Sequence, residues 1–159
     1  MNIKIITIGK LKEEYLKSAI KEYSKRLSRF AKLTIIELPE SKLPDKASLK
    51  DEEKTKAVEA LSLLSKIENN DYVIALSPDG KHLSSEDLAE LIRDKAVYGV
   101  SHMTFVIGGS LGLGDEVLKR ADLRLSFSKM TFPHQLFRVI LLEQIYRCYK
   151  INSNESYHK

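Results

Sequence analysis

Several residue types are scarce in this sequence, and each scarcity excludes a class of protein. The 159 residues contain one cysteine, Cys148, which excludes an internal disulfide framework and favours a reducing, cytoplasmic location. The longest unbroken aliphatic stretch near the end of the chain is residues 139–142, far too short to cross a bilayer. The apolar run that starts at Ile3 is interrupted by Lys4 and has no basic region before it, unlike a signal peptide. We therefore expect no membrane association.

Charge of one sign is not in large excess either. The net charge of +4 comes from 26 basic and 22 acidic side chains. Residues 1–70 carry a balance of +4, residues 71–126 one of −3 and residues 127–159 one of +3. This distribution permits an anionic partner but does not require one. Many of the 12 aromatic residues stand at core-period positions, so we predict no base-stacking surface for single-stranded RNA.

The sequence does have enough apolar material for one core. Hydrophobic residues make up 43% of the chain and charged residues 30%, which excludes a disordered protein. A chain of this length buries roughly 70% of its unfolded surface without needing a disulfide or a metal. No linker or repeat interrupts it, so residues 1–159 are predicted to form a single domain.

Five short apolar runs alternate with helical patterns in which apolar residues recur every three or four positions. We predict strands over residues 2–9, 33–38, 72–76, 103–107 and 123–127. The predicted helices cover about residues 11–30, 51–68, 84–96, 115–121 and 133–151. Continuous apolar strands between helices are typical of an α/β fold with a mostly parallel sheet and helices on both faces.

Three local predictions accompany this pattern. Residues 77–80 (SPDG) are expected to end the third strand. Pro133 is expected at the first position of the last helix. The second helix is expected to bury an apolar face formed by Ala57, Leu61, Leu64 and Ile67.

The last predicted helix has almost no polar face. Ten of its residues between Leu136 and Tyr149 are apolar or aromatic. Such a helix is either deeply buried or shared with a partner chain. In a domain this small we favour the partner chain, and therefore a homodimer with a two-fold interface. The alternative is a central core helix.

Four glycines stand within residues 108–114 (GGSLGLG), directly after a predicted strand. In an open parallel sheet, ligands bind at the carboxyl ends of the strands, where this loop lies. A Walker phosphate loop needs Lys and Ser or Thr after its last glycine, whereas Asp115 and Glu116 follow Gly114. The order G-x-x-G-x-G also differs from the dinucleotide-binding fingerprint. The loop therefore suits a nucleoside-like or zwitterionic ligand, unless it is only a sharp strand-to-helix connection.

Two more loops are expected at the same edge of the sheet. Residues 126–133 (SFSKMTFP) offer backbone amides, hydroxyls and apolar side chains, a mixture that suits a flat heteroaromatic ring. Residues 76–81 end the third strand. No His, Cys, Asp or Glu residues have metal-ligand spacing, so no metal is predicted. No Ser-His-Asp arrangement is defensible from the spacing.

These segments also carry a resemblance to a known family. Residues 105–109 (FVIGG) and 126–134 (SFSKMTFPH) are similar to those of the ribosomal RNA large-subunit methyltransferase H family, in the SPOUT superfamily. Residues 9–12 (GKLK), Glu143 with Tyr146 and Arg147, and residues 157–159 (YHK) extend the similarity over the whole chain. Several such motifs in order, at matching length, are specific where any one alone would not be.

The resemblance implies a homodimer with a C-terminal trefoil knot, a fold feature that general rules do not predict. It also implies S-adenosylmethionine as methyl donor, and N3-methylation of a pseudouridine in helix 69 of the large-subunit (23S) rRNA of the assembled ribosome. By matching positions, the donor would contact Leu76, Gly108, Phe127, Ser128, Lys129, Met130, Thr131 and Phe132.

The family's C-terminal Tyr-His pair maps onto Tyr157 and His158. N3 of a pseudouridine carries a proton at neutral pH, and a histidine is suited to remove it. Arg138 or Lys159 would offset the developing negative charge or hold a phosphate. We expect His158 to reach the donor site of the opposite subunit, ordered by rRNA or by the dimer. Ser156, where some relatives have proline, is expected to make this tail more flexible.

Two other functions remain open at this point. The chain would have the same fold and donor if it methylated a tRNA or another rRNA site. It would instead bind the donor weakly, and transfer nothing, if it were a non-catalytic ribosome-binding dimer. A nucleotide-hydrolysing domain is disfavoured by the missing Walker lysine.

Overall fold

Five strands and five helices alternate along residues 1–159, all of which are described by the computed structural model. The strands form one parallel sheet in the order β2-β1-β4-β3-β5. This confirms the predicted α/β class with a parallel sheet. The elements are β1 (Asn2–Ile8), α1 (Glu14–Leu27), β2 (Lys32–Leu38), α2 (Leu49–Leu64), β3 (Tyr72–His82), α3 (Ser85–Val97), β4 (His102–Ile107), α4 (Asp115–Arg120), β5 (Leu123–Ser126) and α5 (His134–Asn152).

The helices cover both faces of the sheet, as predicted. Helices α1, α3 and α5 pack on one face around a core that includes Phe105 and Ile74, while α2 and α4 pack on the other around Val106 and Val73. Neighbouring residues of β4 and β3 thus point into opposite cores. Burial on both faces is why these strands are continuous apolar runs in the sequence.

The predicted buried face of α2 is wrong for Ala57 and Leu61, whereas Leu64 and Ile67 are half-buried and pack against the core on that face of the sheet. Leu61 is 68% exposed, and the helix instead buries Thr55, Glu59, Ala60 and Leu63. The helix has little apolar contrast between its sides, and Ala60 and Leu63 enter the core on that face of the sheet. Burial raises the pKa of Glu59, whose carboxylate accepts a hydrogen bond from the backbone N–H of Ser41 at 3.1 Å.

Strand β3 is longer than predicted, because residues 77–80 do not end it. Leu76 pairs with Leu125 of β5, and after a bulge Lys81 pairs with the same residue. A Cβ atom on Gly80 would lie 2.7 Å from backbone atoms of Arg124 and Leu125, so only glycine lets the bulge return to the sheet. The bulge places the turn at Pro78 beyond the carboxyl edge.

Helix α5 also departs from its predicted start. Pro133 is its N-cap, and the first helical residue is His134. One face of α5, which includes Leu141, Leu142 and Ile145, is buried against α1 and α3, while Leu136 on the other side is 38% exposed. Cys148 lies within the buried face, and burial raises its pKa to about 12. No helix of the chain combines the length and apolar character that a membrane span requires.

A buried carboxylate joins three strands at the amino edge of the sheet. The Oδ2 atom of Asp71 accepts hydrogen bonds from Lys4 Nζ at 3.1 Å, Thr104 Oγ1 at 2.9 Å and the Glu68 backbone N–H at 3.0 Å. Burial alone would raise the pKa of Asp71, but these three bonds outweigh it and lower the pKa below its ordinary value. The carboxylate therefore stabilises the folded chain in its charged form.

Replacing this carboxylate is expected to destabilise the protein. D71A leaves the donors of Lys4 and Thr104 without an acceptor, and we expect it to lower the free energy of unfolding by about 2 kcal/mol or more at pH 7. Because the folded pKa is lowered, the stabilisation is complete above the unfolded value of about 3.9 and disappears as pH falls through the folded pKa.

Denaturant unfolding at several pH values measures this effect. The difference in the free energy of unfolding between wild type and D71A should become smaller at acidic pH. D94A, which removes a carboxylate on the surface of α3, is the control and should change the free energy of unfolding by no more than about 0.5 kcal/mol. An equal difference at pH 7 and pH 3 would contradict the conclusion that the charged form of Asp71 stabilises the folded chain.

Candidate functional site

A cavity of about 510 Å³ opens at the carboxyl edge of the sheet. The bulge of β3 and the loops that follow β4 and β5 form its walls, and the beginning of α5 closes one side. This is the edge at which open parallel sheets bind ligands. The three loops that the sequence pattern placed at one edge do meet around a single space.

The glycine loop of residues 108–114 folds back on itself at this cavity. The N–H of Gly112 donates to the carbonyl of Gly109 at 3.0 Å, and Gly112 has a φ of +81°. A Cβ atom on Gly108 would lie 2.7 Å from the carbonyl carbon of Gly112. The tight turn therefore depends on glycine for two different reasons, close approach at Gly108 and a left-handed backbone at Gly112.

The segment of residues 126–133 forms the opposite wall through bonds within itself. Ser126 Oγ donates to the Ser128 carbonyl at 3.1 Å, and the Met130 N–H donates to Ser128 Oγ at 3.0 Å. The ring of Phe127 meets that of Phe137 edge-on, with centroids 5.0 Å apart. Since the segment satisfies its own polar groups, it presents a shaped apolar surface with a few free backbone groups to the cavity.

Most residues that the family resemblance assigned to donor binding line this cavity. They are Leu76, Gly108, Phe127, Ser128, Met130, Thr131 and Phe132. Lys129 belongs to the same segment but does not line the cavity, and its side chain is exposed. The structure thus brings together seven of the eight residues from three separate loops.

The cavity also contains charged and titratable residues that the sequence analysis did not assign to it: Lys56, Asp79, Asp115 and His134. Burial first, and the charge of Arg138 second, lower the pKa of His134, so its imidazole is neutral at pH 7. A signal for His134 was available in its position directly after Pro133 at the carboxyl edge. Lys56 comes from α2, a helix that no motif connects to the loops.

Arg138 lies behind the cavity wall rather than in the cavity. It is 2% exposed, and its guanidinium donates to the carbonyls of Ile8 and Gly9 at 3.1 and 2.7 Å. A third bond, at 2.8 Å, joins it to the carboxylate of Glu37. These bonds tie α5 to the carboxyl ends of β1 and β2. The structure therefore does not bring Arg138 together with the predicted donor-binding residues.

Residues 153–159 form a tail that turns back and packs on α5. Asn154 has a φ of +53°, which reverses the chain after the helix. Glu155 then forms ion pairs with Arg29 and Lys150. Side chains of the same chain thus contact Glu155, Tyr157 and His158, whereas we expected rRNA or a dimer to order the tail.

Tyr157 and His158 are the last residues that this packing fixes. The Tyr157 hydroxyl donates to Glu143 at 3.1 Å, and its ring packs edge-on against Tyr146. Burial and the bond to Glu143 raise the pKa of Tyr157 to about 12. His158 contacts Arg147 and Glu86, and it does not line the cavity of its own chain.

The donor set of the cavity favours an organic ligand with both apolar and polar parts. Its walls offer phenylalanine and leucine side chains, serine and threonine hydroxyls, and the backbone of a glycine loop. The chain contains no group of three or more His, Cys, Asp or Glu residues arranged to hold a metal ion.

Comparison with known proteins places the whole chain among methyltransferases. The family profile described as "Predicted SPOUT methyltransferase" matches residues 1–158. The chain is 64% identical to the ribosomal RNA large subunit methyltransferase H of Clostridium novyi, over 100% of both chains. The proteins of that name from Clostridioides difficile and Lactobacillus acidophilus are 60% and 56% identical, again over 100% of both chains.

Substituting the two glycines of the turn should separate their two roles. G108A forces a Cβ atom against the Gly112 backbone, and we expect it to lower the free energy of unfolding by about 2–3 kcal/mol. G112A meets no atom within 4 Å and carries only the strain of a positive φ, about 1 kcal/mol. Denaturant unfolding measures both, and equal losses would contradict the close approach at Gly108.

Proposed function

Since the chain belongs to the ribosomal RNA large subunit methyltransferase H family of SPOUT methyltransferases, we propose that it methylates N3 of a pseudouridine in helix 69 of 23S rRNA on the assembled ribosome. S-adenosylmethionine is the proposed methyl donor. The observation that carries the proposal is the cavity at the carboxyl edge of the sheet, lined by loops whose residues match the family's donor-binding motifs. Such a substrate would place the enzyme in the cytoplasm.

The cavity fits this donor in chemistry. The donor is a zwitterion with an adenine ring, and it supplies a methyl group bound to a positively charged sulfur. Phe127, Phe132 and Leu76 provide apolar surface for a flat ring. Backbone groups of the 108–114 and 126–133 loops provide hydrogen bonds, and Asp79 and Asp115 lie where they favour positive charge. Lys129, outside the cavity, is then left to contact the RNA backbone.

The chain must also remove the N3 proton, and we assign this to His158. Tyr157 is not suited to it, because a phenol with a pKa of about 12 keeps its proton at neutral pH. We assign Tyr157 to holding the tail on α5 through Glu143. Lys159, which is exposed next to His158, is the cation we place near the developing anion. Arg138 takes a positioning role, since its donors hold the ends of β1 and β2.

His158 and the cavity belong to different parts of one protomer, and this supports a homodimer. On the side of α5 that faces away from α1 and α3, Leu136 is exposed. Met130, in the segment that precedes α5, is exposed as well. We propose that two copies pack through this side, so that the tail of one protomer places His158 at the mouth of its partner's cavity, beside the donor rather than around it. We also propose that the C-terminal part of the backbone forms the trefoil knot of the family.

Transfer of a labelled methyl group tests the proposal. Purified protein is incubated with labelled S-adenosylmethionine and with free 23S rRNA, separate subunits or whole ribosomes from a strain that lacks the gene. We expect label only in whole ribosomes, at one nucleotide of helix 69. Label in tRNA would show a different substrate, and donor binding without any transfer would show a non-catalytic binding protein.

Removing residues 157–159 is expected to abolish methyl transfer while the affinity for the donor changes less than about twofold. The tail does not line the cavity of its own chain, so calorimetric titration with S-adenosylmethionine should barely detect its loss. H158A, which keeps the packing of Tyr157, controls for damage to α5. Normal turnover by either variant would refute the assignment of the tail.

A further inference from the structure

His158, near the end of the tail, belongs to a cluster of four polar side chains with Glu86 of α3 and with Glu143 and Arg147 of α5. Arg147 lies at its centre, and its Nε and Nη2 atoms donate to Glu143 Oε1 at 3.0 and 2.6 Å. Its third nitrogen, Nη1, lies 3.1 Å from Nδ1 of His158. On the far side of the imidazole ring, Nε2 of His158 lies 2.6 Å from Glu86 Oε1. Both ring nitrogens of His158 are therefore engaged.

The two partners of His158 determine where its proton lies. A guanidinium has only donors, so the contact at 3.1 Å requires a lone pair on Nδ1. A proton on Nδ1 would point at the N–H of Arg147. The carboxylate of Glu86 has only acceptors, so the contact at 2.6 Å requires a proton on Nε2. These two contacts favour the tautomer of His158 with the proton on Nε2 and a lone pair on Nδ1.

The main interaction of the Glu86 side chain is the one with His158. It stands in the first turn of α3, where Ser84 and Asp87 already form the capping box. Its side chain is 61% exposed and makes no other ion pair. The hydrogen bond from His158 is the main cause that lowers the pKa of Glu86. The carboxylate is therefore available as the hydrogen-bond acceptor of His158.

We propose that Glu86 is a positioning residue for His158. It keeps the ring proton on Nε2 and so reserves Nδ1 as the atom that accepts the N3 proton of the substrate. Arg147 occupies Nδ1 until an anionic group of the RNA, such as a phosphate, draws Nη1 away. The inference depends on the proposed role of His158 as the base.

The proton balance of this step is simple. The N3–H bond of the pseudouridine breaks, N3 keeps the electron pair, and an N–H bond forms at Nδ1 of His158. The ring then carries a positive charge beside the carboxylate of Glu86. Arg147 can release the ring without losing its own partner, because its other two nitrogens stay bound to Glu143.

The tautomer of His158 can be read directly in the whole protein without donor or RNA. Nitrogen-15 NMR of protein labelled at histidine distinguishes a protonated from an unprotonated ring nitrogen, and the H158Q spectrum identifies the signals of His158. In wild type we expect Nε2 protonated and Nδ1 unprotonated. In E86A we expect the two tautomers to mix, while E86Q, which keeps an acceptor oxygen, should retain the wild-type pattern.

The same variants are compared in methyl transfer to ribosomes. E86A should lower kcat on the order of tenfold with no change in KM for the donor, and E86Q should recover most of the loss. E90A is the matched control: it removes an exposed carboxylate one turn further along α3, paired only with Arg93, and should behave as wild type. A purely structural contact would change stability but not kcat at a temperature where all variants are folded.

Two results would overturn the inference: a wild-type signal with the proton on Nδ1, or an E86A enzyme with normal kcat. The proposed function fails differently. If wild type transfers no methyl group to ribosomes but shows the Nε2 proton that E86A loses, the contact stands and the assignment of His158 as a base is refuted.

Discussion

One buried cation connects the sheet to the site. The guanidinium of Arg138 satisfies the last carbonyls of β1, pairs with Glu37 of β2 and belongs to the first turns of α5. A charge this deeply buried is tolerated only where several partners meet it, and burial still lowers the pKa of Arg138. The first turn of α5 also places His134 in the cavity. The position of this cavity wall therefore depends on the hydrogen bonds of Arg138 to β1 and β2.

Much of the fold follows from local patterns in the sequence. The continuous apolar runs of β1, β3 and β4 predict strands buried on both faces, and Gly9 and Gly108 mark where β1 and β4 leave the sheet. The carboxyl edge then follows from topology, since all strands are parallel. For this reason the loops at residues 108–114 and 126–133 could be assigned to one site before any contact was known.

Other features depend on contacts that no local pattern contains. Helix α2 buries Glu59, whose carboxylate accepts a hydrogen bond from the distant N–H of Ser41, while Leu61 stays exposed. The bulge in β3 depends on the absence of a Cβ at Gly80 opposite β5. The ordered tail depends on ion pairs between Glu155 and Arg29, more than a hundred residues apart. In each case one long-range polar or steric contact overrides a composition-based expectation.

The burial of Cys148 has a practical consequence for fluorescent labelling of this protein. A thiol that is enclosed by α3 and α5, with a pKa of about 12, is neither accessible nor nucleophilic at neutral pH. The natural chain is therefore not expected to react with thiol-specific dyes. Cysteines that replace both exposed residues, Lys129 and Lys159, would be the only thiols labelled, and a donor and an acceptor fluorophore on them would report the distance between the 126–133 segment and the tail in solution.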